Sequence, residues 1–182
     1  AGADAIVLDV KCGNGAFMRD LRQARKLAQT MVAIGRQVGR RVTAVISSMQ
    51  QPLGRNIGNT LEVMEAITVL KGQAGGNLLE VSLVLGSEML LAAGAAPDLD
   101  SARDQLRQAL ADGSALARFA GLISGQGGDP AIISHPDRLP QPACRRLLPA
   151  PQSGWLAAID TARLGQLFVE LGGGRKTKTD AI

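Results

Sequence analysis

Hydrophobic and polar positions along the chain follow two rhythms in turn. The opening run Ala5-Ile6-Val7-Leu8-Asp9-Val10-Lys11 is nearly continuous in apolar residues, which predicts a strand buried on both faces. It ends at Gly13-Asn14-Gly15, a turn sequence that tolerates positive φ. From Asp20 to about Gly39, Leu21, Ala24, Ala28, Met31 and Val38 recur at helical spacing, and Gly39 supplies a stop. A second run, Arg41-Val42-Thr43-Ala44-Val45-Ile46-Ser47, predicts another buried strand. Strand, helix, strand in so short a stretch is one βαβ unit, whose crossover is expected to be right-handed.

Helical spacing then takes over. The chain turns through Gln51-Pro52-Leu53-Gly54. Asn59, with Glu62 three residues later, resembles a capping box in which Asn is the cap. Val63, Ala66, Ile67 and Leu70 follow on one helical face. Beyond the Gly-rich loop 72–76, a helix is expected over about Leu78 to Ala93, apolar on more than one side and therefore buried. Two more are expected over Leu99 to Ala111 and Ser114 to Ser124, closed by the loop Gly125-Gln126-Gly127-Gly128-Asp129-Pro130.

The character changes after Ser134. Five of the eight prolines (Pro136, Pro140, Pro142, Pro149, Pro151) fall within residues 136–152, which read as a linker with a short strand near Cys144 to Leu148. Gly154 to Asp160 predicts a strand, and Thr161 to Leu171 a short helix with Thr161 as its cap. Gly172-Gly173-Gly174-Arg175 turns into a basic, polar end. The fold class expected is α/β: a parallel-strand βαβ unit, a following helical block, then the start of a small α+β C-terminal domain. The division expected is residues 1–135, a linker at 136–152, and an incomplete C-terminal domain at 153–182.

With 182 residues, 46% of them hydrophobic and 20% charged, the chain is expected to hold one domain, or one and part of another, with a core that needs no staples. No stretch approaches the ~20 apolar residues of a membrane span, and no secretory leader pattern is present. The opening Ala1-Gly2-Ala3 lacks an initiator Met, as expected of a trimmed chain or a segment of something longer. The net charge of +4 is mild. Its pairs Arg40-Arg41 and Arg145-Arg146, and the cluster Arg175, Lys176 and Lys178, read as solvated surface compatible with a small anion such as phosphate. Aromatics are only 2% (Phe17, Phe119, Phe168, Trp155), so the stacking platform of a nucleic-acid binder is missing. Cys12 and Cys144 match no metal spacing and read as reduced thiols of a cytoplasmic protein. The single His135, in a Pro-rich loop, leaves little material for a catalytic triad or a metal hydrolase.

Two segments carry candidate chemistry. Lys11-Cys12-Gly13-Asn14-Gly15-Ala16-Phe17 lies at the carboxyl end of a buried strand, the edge where open α/β sheets bind ligands. Its glycines permit close backbone approach, and a helix start supplies amides for an anion. The same spacing also suits a plain tight turn, and the third glycine of a dinucleotide fingerprint is missing. Gln51 to Glu65 also follows a strand and leads into a helix, with Glu62 and Glu65 near one face. There Glu65 is either a ligand or a solvated helix residue.

Together these segments resemble a known family. Val7-Leu8-Asp9-Val10-Lys11-Cys12-Gly13-Asn14-Gly15-Ala16-Phe17-Met18 resembles the "DVK-x-G-x-GAFM" segment of the pyrimidine-nucleoside and thymidine phosphorylases. Gln51-Pro52-Leu53-Gly54 through Glu62-Val63-Met64-Glu65-Ala66 is similar to their "QPLG…GN-x-LEV-x-EA" segment, and residues 109–128 and 171–175 to later stretches. The resemblance covers essentially the whole chain, in order. It implies the second half of the family's α/β domain and the start of its C-terminal region. The phosphate-cradling loop and the residues gripping the pyrimidine would lie upstream, so no catalytic residue is expected in this segment.

The resemblance further implies that Phe17 lines the base pocket, an apolar contact by shape, and that Lys11 either approaches the phosphate or props the structure with Asp9. It implies that Leu53, Asn56 and Glu65 complete a monovalent-cation site for potassium, Leu53 and Asn56 through carbonyls and Glu65 through its carboxylate. The expected activity of the parent is reversible phosphorolysis of a pyrimidine nucleoside to free base and ribose- or deoxyribose-1-phosphate, in a cytoplasmic homodimer that engages neither nucleic acid nor membrane. Two alternatives stand beside it: a non-catalytic scaffold lacking the phosphate loop, and a related phosphoribosyltransferase or AMP phosphorylase.

Overall fold

The computed structural model describes residues 3–175 and 177–179. Lys176 of the terminal basic cluster lies outside them.

Both apolar runs form strands, β1 (Ala5–Cys12) and β2 (Arg41–Ser48), paired in parallel from Ala5 opposite Arg41 to Cys12 opposite Ser48. Parallel neighbours require a long crossover, and α1 (Leu21–Gln37) supplies it. The Asp20 side chain starts that helix by accepting a hydrogen bond from the Gln23 amide, satisfying one of the orphan N–H groups of the first turn. Ala24 and Ala28 face the sheet, fully and almost fully buried, because only small side chains let the helix lie close to β1 and β2. They form the core with Val10, against which Leu8, Cys12, Met18, Ala44 and Ile46 pack.

The helical block follows as α2 (Asn59–Leu70), α3 (Asn77–Ala92), α4 (Leu99–Ala111) and α5 (Ser114–Gly125). The helix α3 packs on α4 and also reaches both strands, so it joins the block to the βαβ unit. Its burial is less complete than its composition predicts. Leu83 is buried, whereas Met89 is 60% exposed, because the helix has more apolar faces than neighbours among the described residues. Two 3-10 turns, Pro130–Ile133 and Pro136–Arg138, follow, and α6 (Thr161–Glu170) closes the order.

Four local expectations are corrected. The cap of α2 is Gly58, with Asn59 the first helical residue, and Glu62 reaches back to the Gly58 amide at 3.2 Å. The box is thus shifted by one position, and only its carboxylate half is made. The cap of α6 is Asp160, whose side chain accepts from the Arg163 amide, not Thr161. Neither Cys144–Leu148 nor Gly154–Asp160 is a strand; both lack regular secondary structure. A strand exists through its ladder, and neither segment makes one with any described residue. No helix among the described residues is long and apolar enough to cross a membrane.

Candidate functional site

The carboxyl ends of β1 and β2 each continue into a loop, and the two loops are stitched together. The Met49 amide donates to the Cys12 carbonyl at 2.7 Å, and the Gly15 amide to the Met49 carbonyl at 3.0 Å. Gly13 makes this approach possible. Its φ is +136°, and a Cβ there would stand 2.8 Å from the Gln50 nitrogen. Any side chain would therefore push the loops apart.

On the strands below, Lys11, Asp9 and Ser47 form a closed set. The Lys11 ammonium lies 2.7 Å from an Asp9 carboxylate oxygen and donates to the Ser47 hydroxyl at 2.9 Å. The Ser47 hydroxyl donates to the other Asp9 oxygen. All three are partly buried. Both oxygens of Asp9 are thus engaged, and Lys11 keeps at least one N–H free to point elsewhere.

The loop from Pro52 to Gly58 curls around a carboxylate. The Arg55 amide donates to Glu65 Oε1 at 2.8 Å and the Asn56 amide to Oε2 at 3.0 Å. The loop passes so close that a Cβ on Gly54 would lie 2.5 Å from Oε2. Glu65, partly buried, thus organises the loop that precedes its own helix. Each carboxylate oxygen retains a second lone pair, and among the described residues the carbonyls of Leu53 and Asn56 receive no hydrogen bond.

These features meet in one cavity of about 470 Å³. Lys11, Leu53, Asn56, Glu62 and Glu65 line it, and so do Thr161 and Leu164 of α6. Four of the five residues singled out in the sequence are thus brought together. The fifth, Phe17, is not: it lies in the loop before α1, 99% exposed. The α6 wall was missing from the sequence reading, since Thr161 is separated from Gln50, its partner, by 111 residues and no local pattern links them. Among the described residues no group of three or more His, Cys, Asp or Glu side chains converges on a metal position. The donors that line it, backbone carbonyls and the carboxylates of Glu62 and Glu65, are hard oxygens suited to hard cations.

Comparisons with known proteins agree with this architecture. The family model described as "Glycosyl transferase family, a/b domain" matches residues 1–116. The pyrimidine-nucleoside phosphorylases of Staphylococcus aureus strains USA300, NCTC 8325 / PS 47 and COL are each 50% identical over 182 residues, all of this chain. The chain spans 42% of the length of those relatives. Since the family match takes in both strands, both post-strand loops and Glu65, the chain belongs to the glycosyl transferase family through its a/b domain.

Proposed function

We propose that this chain is part of a pyrimidine-nucleoside phosphorylase, which cleaves a nucleoside with inorganic phosphate to free base and pentose-1-phosphate. The observation that carries the reading is the full-length 50% identity to enzymes of that name, together with the cavity that gathers residues of both shared segments. Phosphorolysis is a displacement at the anomeric carbon through an oxocarbenium-like state, in which the enzyme positions phosphate and stabilises the leaving base. This segment contributes architecture to that chemistry rather than a catalytic group. Residues 1–135 would belong to the α/β domain and 153–182 to the start of the C-terminal domain, joined by 136–152.

Potassium is the cation proposed for the cavity. The donor set fits: the Glu65 carboxylate and the carbonyls of Leu53 and Asn56 are oxygens, and two backbone amides already hold the carboxylate in place. A bound potassium ion would supply a fixed positive charge that stiffens the loop. Lys11, with Asp9 beside it, places a second positive charge on the same cavity and is proposed to face the phosphate side. Phe17 is proposed as an apolar contact for the pyrimidine once the rest of the base pocket surrounds it. The parent enzyme is proposed to be a cytoplasmic homodimer.

The test is phosphorolysis of uridine and thymidine with inorganic phosphate, with AMP as the competing substrate. It is to be run on the native protein, after an intact mass measurement has fixed the length of its chain. Release of uracil or thymine that depends on phosphate and is stimulated by potassium is the expected result. Release of adenine from AMP, with pyrimidine nucleosides untouched, would replace this reading by the AMP phosphorylase one.

A further inference from the structure

The helix α6 is tied to the post-strand loops by polar contacts to one side chain. Asn14 Oδ1 accepts the Thr161 amide at 2.9 Å, and Asn14 Nδ2 donates to the Ile159 carbonyl at 2.9 Å. The same Nδ2 lies 3.1 Å from Gln50 Oε1, and Thr161 Oγ1 donates to the Gln50 carbonyl at 3.0 Å. Thr161 is only 7% exposed, so its own two bonds, to Asn14 and to the Gln50 carbonyl, are partly shielded from water. Farther along, the Phe168 ring lies over Gly58, where a Cβ would come within 2.9 Å of Cε2. The helix thus touches the loop after β1, the loop after β2 and the turn that starts α2.

We infer that Asn14 is a positioning residue. With Gln50 and Thr161 it forms a latch that holds α6 as a wall of the cavity lined by Lys11, Asn56 and Glu65. Asn14 does not line that cavity. It acts through α6, whose Thr161 and Leu164 do, and through Phe168, which presses on the turn below the Glu65 loop. Only an amide serves here, because the site asks for one acceptor and at least two donor directions at once. The inference rests on the proposal that the cavity holds potassium, and the experiment keeps the two apart.

Hydrogen exchange of the Arg55 and Asn56 amides is followed in this chain against added potassium chloride, with choline chloride holding ionic strength constant. In the unmodified chain potassium is expected to slow exchange at residues 54–58. Asn14→Ala and Thr161→Val are expected to raise the half-saturating potassium concentration about tenfold, as the loss of partly buried hydrogen bonds implies. Thr161→Ser, which keeps the hydroxyl, is expected to restore it. The amides of Val10 and Ala28 in the core are expected to exchange as before. Half-saturation within twofold of the unmodified chain, or equal acceleration in the core, would overturn the latch. If potassium has no effect on the unmodified chain, the cation reading fails and potassium-free exchange decides. Tenfold acceleration in the two latch variants, confined to 54–58 and 161–168, then supports the latch, and its absence overturns it.

Discussion

At the scale of single residues, the carboxylate of Glu65 is held at both oxygens by the loop before its own helix. Two backbone amides donate to it, one to each oxygen. Glu65→Gln would turn one of those acceptors into a donor facing an N–H. A partly buried pair of donors has no good arrangement, and the expected destabilisation is about 1–3 kcal/mol. Urea unfolding at neutral pH measures it, and a loss below ~0.5 kcal/mol would mean that the loop is held by other contacts. Glu62, one turn earlier, is exposed and caps with a single bond, so Glu62→Gln should cost far less. In the sequence Glu62 reads as a capping carboxylate, and Glu65, three residues on, as either a ligand or a solvated helix residue. What separates them is the path of the loop, and that path depends on Gly54 fitting against the carboxylate. No periodicity encodes such a fit.

At the scale of elements, the chain was legible wherever burial is settled by neighbours near in sequence. The two strands show as nearly continuous apolar runs, and α1 in the helical spacing of Leu21, Ala24, Ala28, Met31 and Val38, of which the structure buries Ala24 and Ala28. The segments 144–148 and 154–160 show the limit. Both have strand composition, yet strand formation needs a second backbone, and composition does not say whether one is there. The starts of α4 and α5 at Leu99 and Ser114 are legible to the residue, whereas the caps of α2 and α6 are missed by one, because Gly58 and Asp160 compete with the adjacent Asn59 and Thr161. Caps also set a pH dependence. The Ser101 amide, and after it the Ser101 hydroxyl, hold the Asp98 carboxyl below its ordinary range at the start of α4. The folded pKa is depressed. The contribution is therefore fully present above the unfolded value of about 3.9 and fades as pH falls through the folded one. Asp129 behaves alike, chiefly through the Ala131 amide and then Arg138. Asp98→Asn keeps an acceptor at every pH, so its thermal midpoint, relative to the unmodified chain, is expected to rise between pH 5 and pH 2. A constant difference across that range would show that the cap does not titrate with folding.

At the scale of the whole molecule, the accessible surface is 13008 Å². A compact monomer of 18.9 kDa would expose roughly 8,300 Å². Part of the excess is the stretch from Leu139 to Ala158, which crosses from the helical block to α6 almost wholly exposed and without a regular element. Leu147, Leu148, Trp155 and Leu156 all stand in solvent there. The rest includes an apolar flank of α1, where Leu27, Met31, Ile34 and Val38 lie at helical spacing but at least a third exposed. Limited trypsin digestion should read this directly. The first cut is expected at Arg145 or Arg146, before any in α1 or α4, although those helices carry more basic residues. Early cleavage at Arg22 or Arg25 would mean that the βαβ unit opens more easily than the crossing segment.

The latch between Asn14 and Thr161 joins residues 147 positions apart. During synthesis, β1, α1 and β2 can collapse on one another while α6 is still inside the ribosome, because every contact they need is already outside. The cavity is different: its α6 wall cannot be placed until residues 161–170 have left the ribosome. A ribosome halted just past Ala158 would therefore carry a nascent chain with a formed core and a gaping site. The βαβ core can therefore form in translation well before α6 adds its wall to the cavity.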